Sequence, residues 1–70
     1  MNIERIRDKL SNGFRPFAIQ LSSGKRHVVP HPEFIRVGKR IVAVLGKKDS
    51  VTAIDPLHIV ALEDLPGTKS

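Results

Sequence analysis

The sequence predicts a mainly β domain, with one N-terminal α-helix and then five short antiparallel strands closing a small barrel. Three observations predict it. Apolar residues recur at helical spacing only at the start, at Ile3, Ile6 and Leu10. From Phe17 onward they alternate or run in short blocks cut by glycine, proline and polar turns. The chain has 70 residues and no cysteine. A domain of that size buries only about 60% of its unfolded surface, and without thiols neither disulfides nor thiolate zinc sites can staple it. A closed sheet or an oligomer interface is the remaining way to stabilise so thin a core.

Each element follows from local chemistry. Asn2 is a good N-cap, and Asn12-Gly13 supplies a stop, so the helix is expected over residues 3–11. A helix this short is marginal alone and must lay its apolar stripe on the sheet or on a neighbour. The first strand is expected over 16–22, where Phe17, Ile19 and Leu21 alternate with Ala18, Gln20 and Ser22. Pro16 is tolerable at its first position because no ladder N–H is lost there. Ser23-Gly24 turns the chain into a second strand, 25–30, that Pro30 ends. Pro32-Glu33-Phe34 can open a single helical turn inside the 30–40 connector. Residues 40–46 are apolar on both faces, which predicts a strand covered on both sides. The Lys47–Ser50 turn, a fourth strand 51–54, the Asp55-Pro56 break and a fifth strand 58–63 follow, then a short tail over 64–70. Phe14 is expected where helix meets sheet. This order of elements is that of a small SH3-like or Sm-like barrel, a single domain over 1–70.

The net charge is +5, and its placement matters more than its size. Residues 1–13 carry three positive and two negative groups, residues 14–61 eight and three, and residues 62–70 one and two, so the excess lies on the β portion. That favours an acidic partner such as nucleic acid. With neighbouring strands antiparallel, the 22–26 and 46–50 turns fall at one end of the sheet, where Lys25, Arg26, Lys47 and Lys48 form a rim. The opposite rim collects Arg15, His31, Arg36, Lys39 and Arg40. Either rim can contact phosphates. Turns are also simply where solvated lysines and arginines collect. The only aromatics are Phe14, Phe17 and Phe34, which is poor provision for base stacking, so the expected contacts are with phosphate.

Other chemistries find little footing. His27 and His31 are four apart, but Pro30 and Pro32 exclude the helix that would align them, so His27, His31 and His58 are not expected to hold a metal. No serine sits in a nucleophile elbow, no carboxylate pair has a reason for a raised pKa, and the glycines are turn glycines. The expectation is a protein that is not an enzyme and has no cofactor. The N-terminus lacks the apolar run of a signal peptide, and no stretch approaches the roughly 18 apolar residues of a membrane span, so the expected location is cytoplasmic.

The stretch Phe14–Phe34, with Val29-Pro30-His31-Pro32-Glu33-Phe34 its most specific part, and the later Ile54–Glu63 resemble a group of short uncharacterised bacterial proteins. Their frame is a Pro-Phe strand, a glycine turn, Val-Pro-His-Pro-Glu-Phe, an apolar strand and a closing Ile-Asp segment, and it implies no catalytic residue. More loosely, the helix, the five strands and the Ile54 to Ile59 element are similar to Sm-like and Hfq-like barrels. That likeness implies ring assembly through the last two strands and RNA as ligand. The chain departs from it in the connector with Pro32 and in lacking a late Tyr-Lys-His motif. The expected function is therefore an oligomeric basic barrel that binds nucleic acid, RNA ahead of DNA. The alternative is a protein-interaction or assembly module with no nucleic-acid partner, working through exposed strand edges.

Overall fold

Asn2 caps the helix as its sequence implies: its side-chain oxygen accepts from the Glu4 N–H at 2.9 Å. The helix, α1, spans Ile3–Leu10. It stops one residue short of the expected end, at Ser11, whose extended backbone caps it while its N–H still donates to the Arg7 carbonyl at 3.2 Å; Gly13 follows with a φ of +82°. The computed structural model describes residues 1–11 and 13–65; Asn12, the other half of the expected stop, and the tail from Pro66 lie outside the described residues. The apolar stripe of α1 lies on the sheets, with Ile6 fully buried and Ile3 and Leu10 packed against the core.

Among the described residues there are six strands: β1 (Phe17–Leu21), β2 (Arg26–Val29), β3 (Ile35–Val37), β4 (Val42–Leu45), β5 (Val51–Ile54) and β6 (Ile59–Asp64). They form two three-stranded antiparallel sheets, ordered β2-β1-β6 and β3-β4-β5. The five-stranded closed barrel expected from the sequence is thus corrected on two counts. The extra strand, β3, lies in the 30–40 connector, where Ile35 and Val37 face the core around an exposed Arg36. Three alternating residues are too short a run to stand out. The expected Pro32–Phe34 turn is present as one turn of 3-10 helix. It cuts what would be one long strand into β2 and β3, because Pro30 and Pro32 offer no N–H to a ladder. Another 3-10 turn, Pro56–His58, carries the chain back from β5 to β6.

One core serves both sheets and the helix. Ile6, Phe17, Ile19, Val29, Ile35, Val42, Val44, Ile54 and Ile59 form a single buried cluster. Every strand contributes. Phe14 is half-buried and packs on this cluster with its ring 6.0 Å from that of Phe17. Ala18, expected on the open face, is fully buried too; its methyl lies between its cross-strand neighbours Val28 and Glu63. In β4 burial alternates: Val42 and Val44 are buried, Ala43 and Leu45 half-buried. The cover expected on both faces is complete on one only.

The β4–β5 turn stores strain. Lys48 and Asp49 have φ of 57° and 61°, a left-handed conformation that costs roughly 1–2 kcal/mol per residue for side chains other than glycine, less for Asp. Replacing Lys48-Asp49 by Asn-Gly is expected to raise stability by about 1–2 kcal/mol, read as a higher urea midpoint at unchanged slope. A neutral or lower midpoint would mean that the turn is not held in this conformation.

Candidate nucleic-acid interface

The seven cations singled out in the sequence are all exposed, and the fold shares them among four places. Arg36 stands on the outer side of β3. Lys39 and Arg40 follow in the β3–β4 turn, which a bond from the Gly38 N–H to the Ile41 carbonyl closes at 2.8 Å. Arg7, which helical spacing places on the polar side of α1, reaches across to donate to the Gly38 carbonyl at 3.0 Å. It also shares a shallow depression with Arg36, Ser11 and Pro32. Arg7, Arg36, Lys39 and Arg40 therefore lie along one stretch of surface where the helix crosses β3. Lys39 and Arg40 border a second depression that ends at Asp55 and Leu57. Arg7 was not legible as a member of this group, because the bond joining it to the turn spans 31 residues.

The other four cations are less gathered. Lys25 follows the β1–β2 turn, where Gly24 takes φ of +95° and its N–H donates to the Leu21 carbonyl at 2.9 Å. Lys25 faces a cleft lined by β5 residues Thr52, Ala53 and Ile54. Lys47 and Lys48 sit at the tip of the β4–β5 hairpin, beyond the Leu45–Val51 pair. Ile54 marks the other end of that hairpin, and next to it Asp55 lines the Lys25 cleft together with His58.

Arg26 is spent internally. Its Nε donates to Glu63 Oε1 at 3.0 Å, and Gln20 on the intervening β1 donates to the same oxygen at 2.9 Å. The Gln20 hydrogen bond, then the hydrogen bond and charge of Arg26, hold the Glu63 carboxyl below its ordinary 4.5. The sign follows from linkage: a depressed folded pKa adds stability above the unfolded value, and that stability is lost as pH falls through the folded one. Acidification from about pH 5 to pH 3 should therefore cost the wild type more than Glu63→Gln, as measured by urea melts. Equal losses would show that the bridge is absent in solution.

Of the histidines, His27 and His58 border the Lys25 cleft, and His31 lies apart with its ring 5.9 Å from Phe34. No aromatic platform accompanies the cations, since Phe17 is buried and Phe14 and Phe34 are half-buried. The arrangement suits phosphate contact by guanidinium and ammonium groups, with little provision for stacking bases. Among the described residues no helix is long and apolar enough to cross a membrane.

Compared with protein-family models, with curated proteins and with solved structures, the chain matches none.

Proposed function

We propose that the chain is a cytoplasmic, oligomeric β-module that binds nucleic acid, RNA ahead of DNA, through phosphate contacts led by Arg36, Lys39 and Arg40. Lys25, Lys47 and Lys48 add to the attraction from other faces. The observation that carries this reading is the lack of internal partners. Among the described residues ion pairs engage Arg7, Lys9 and Arg26, and they leave Arg36, Lys39, Arg40, Lys25, Lys47 and Lys48 free for phosphates. Three of these fall within five residues of one another beside the helix. The strand order β6-β1-β2 followed by β3-β4-β5, with a 3-10 turn before the last strand, supports reading the fold as an opened relative of the SH3-like and Sm-like barrels. Exposed Val51, Leu57 and Val60 support self-association.

The test is fluorescence anisotropy with labelled single-stranded RNA and DNA of mixed sequence across a salt series. The expected result is micromolar or tighter binding at low salt that is nearly independent of sequence and falls steeply with salt. No binding at low salt would overturn the reading.

A second reading keeps one specific observation in its favour. β5 is an edge strand, and Val51, Thr52 and Ala53 along it are exposed and uncharged, as a protein-docking edge would be. Light scattering on nuclease-treated protein separates the two: a discrete oligomer that ignores RNA favours the interaction module.

A further inference from the structure

The cleft beside Lys25 is built from segments that the sequence keeps apart. Ser22 donates its N–H to the His58 carbonyl at 2.8 Å, which brings the β1–β2 turn against the Pro56–His58 turn. Between these turns and β5 opens a space of about 490 Å³, inside the roughly 300–1,000 Å³ of small-molecule sites. Its floor is apolar, with Leu21, Ala53 and Ile54. Its rim carries Lys25, His27 and His58, and none of these side chains has a hydrogen-bond or ion-pair partner among the described residues. Asp55 also lines the cleft, but one of its oxygens is held by the Leu57 N–H at 2.9 Å. The cleft thus sets three nitrogen-bearing side chains, with the hydroxyls of Ser22, Ser23 and Thr52 and the second oxygen of Asp55, around an apolar floor.

We propose that this cleft binds a small organic anion, with a phosphate or carboxylate head on Lys25, His27 and His58 and a flat apolar body on Leu21 and Ile54. The head answers the uncommitted nitrogens, where a charge-assisted hydrogen bond is about twice as strong as a neutral one. The body answers the floor, which gains by leaving water. Asp55 borders both this cleft and the Lys39–Arg40 depression, but the cleft is argued from its own lining, and failure of the nucleic-acid reading leaves it standing.

The test is an amide NMR titration of the full chain with phenyl phosphate and with benzoate, beside inorganic phosphate (head alone) and benzyl alcohol (body alone). Saturable shifts are expected at Ser22, Lys25, His27, Thr52 and His58, with either aromatic anion binding about tenfold more tightly than head or body alone. The tighter of the two identifies the preferred head. Lys25→Glu, at an exposed turn position, should weaken binding about tenfold or more, and His58→Gln should weaken it as well. Reversing Arg36, Lys39 and Arg40, none of which lines the cleft, should weaken it far less than Lys25→Glu does. Inorganic phosphate binding as tightly as phenyl phosphate would overturn the proposal. Undiminished affinity in Lys25→Glu, or shifts spread evenly over all the cationic residues, would do so too.

Discussion

Reversing Arg36, Lys39 and Arg40 to glutamate is expected to weaken RNA binding at least about a hundredfold at 0.1 M salt. The estimate follows from counterion release. Each phosphate contact on a single strand adds about 0.7 to the slope of log K against log salt, so losing three removes about 2 from the slope and about two decades at 0.1 M. Reversal adds repulsion to that loss. All three residues are exposed and outside the core, so the variant should keep the melting behaviour of the wild type. The control is Arg26→Glu, whose guanidinium already bonds Glu63; it should cost stability more than affinity. An unchanged salt slope in the triple variant would remove this surface from the account and return attention to Lys25, Lys47 and Lys48.

The second large effect is on the fold. Phe17 is the largest of the fully buried side chains and lies in β1, the central strand of its sheet. Phe17→Ala should cost about 3–5 kcal/mol in lost transfer energy and residual cavity. A 70-residue domain holds only roughly 4–10 kcal/mol in total, at about 0.05–0.15 kcal/mol per residue. The variant is therefore expected to be largely unfolded at 37 °C, with its urea midpoint shifted far below that of the wild type. A loss below about 1 kcal/mol would mean that Phe17 does not occupy the core. Ile6→Ala tests the same core from the helix side, since Ile6 is equally buried.

The local chemistry of this chain was readable and its long-range geometry was not. Val51–Ile54 has the bounds expected of it, because a polar turn before and Asp55-Pro56 behind leave no other start or stop. The helix and the Pro32–Phe34 turn were likewise legible from caps and prolines. β3 was hidden, since two core residues around Arg36 make too short a run to separate strand from connector. The candidate surface suffered from the same blindness to distance. Local spacing placed Lys25 and Arg26 with Lys47 and Lys48, but the fold turns the β1–β2 hairpin toward the Pro56–His58 end of β5 through the Ser22–His58 bond. Arg26 looked available and is bonded to Glu63, 37 residues away. Arg7, which nothing in the local sequence singles out, reaches the β3–β4 turn.

The order in which the strands are used also bears on how the chain is made. Sheet β3-β4-β5 is an unbroken meander of adjacent segments, whereas β1 waits for a partner from the far end, β6, to complete its own sheet. The ends are then stitched together, by the Leu65 N–H to the Pro16 carbonyl at 3.2 Å and by Lys9 to Asp64. During synthesis, the first strand to emerge is therefore the last to be flanked on both sides. Until β6 has been translated and released, β1 presents one unpaired edge to its surroundings, and a nascent chain stalled before Ile59 is the form of this protein most exposed to mispairing.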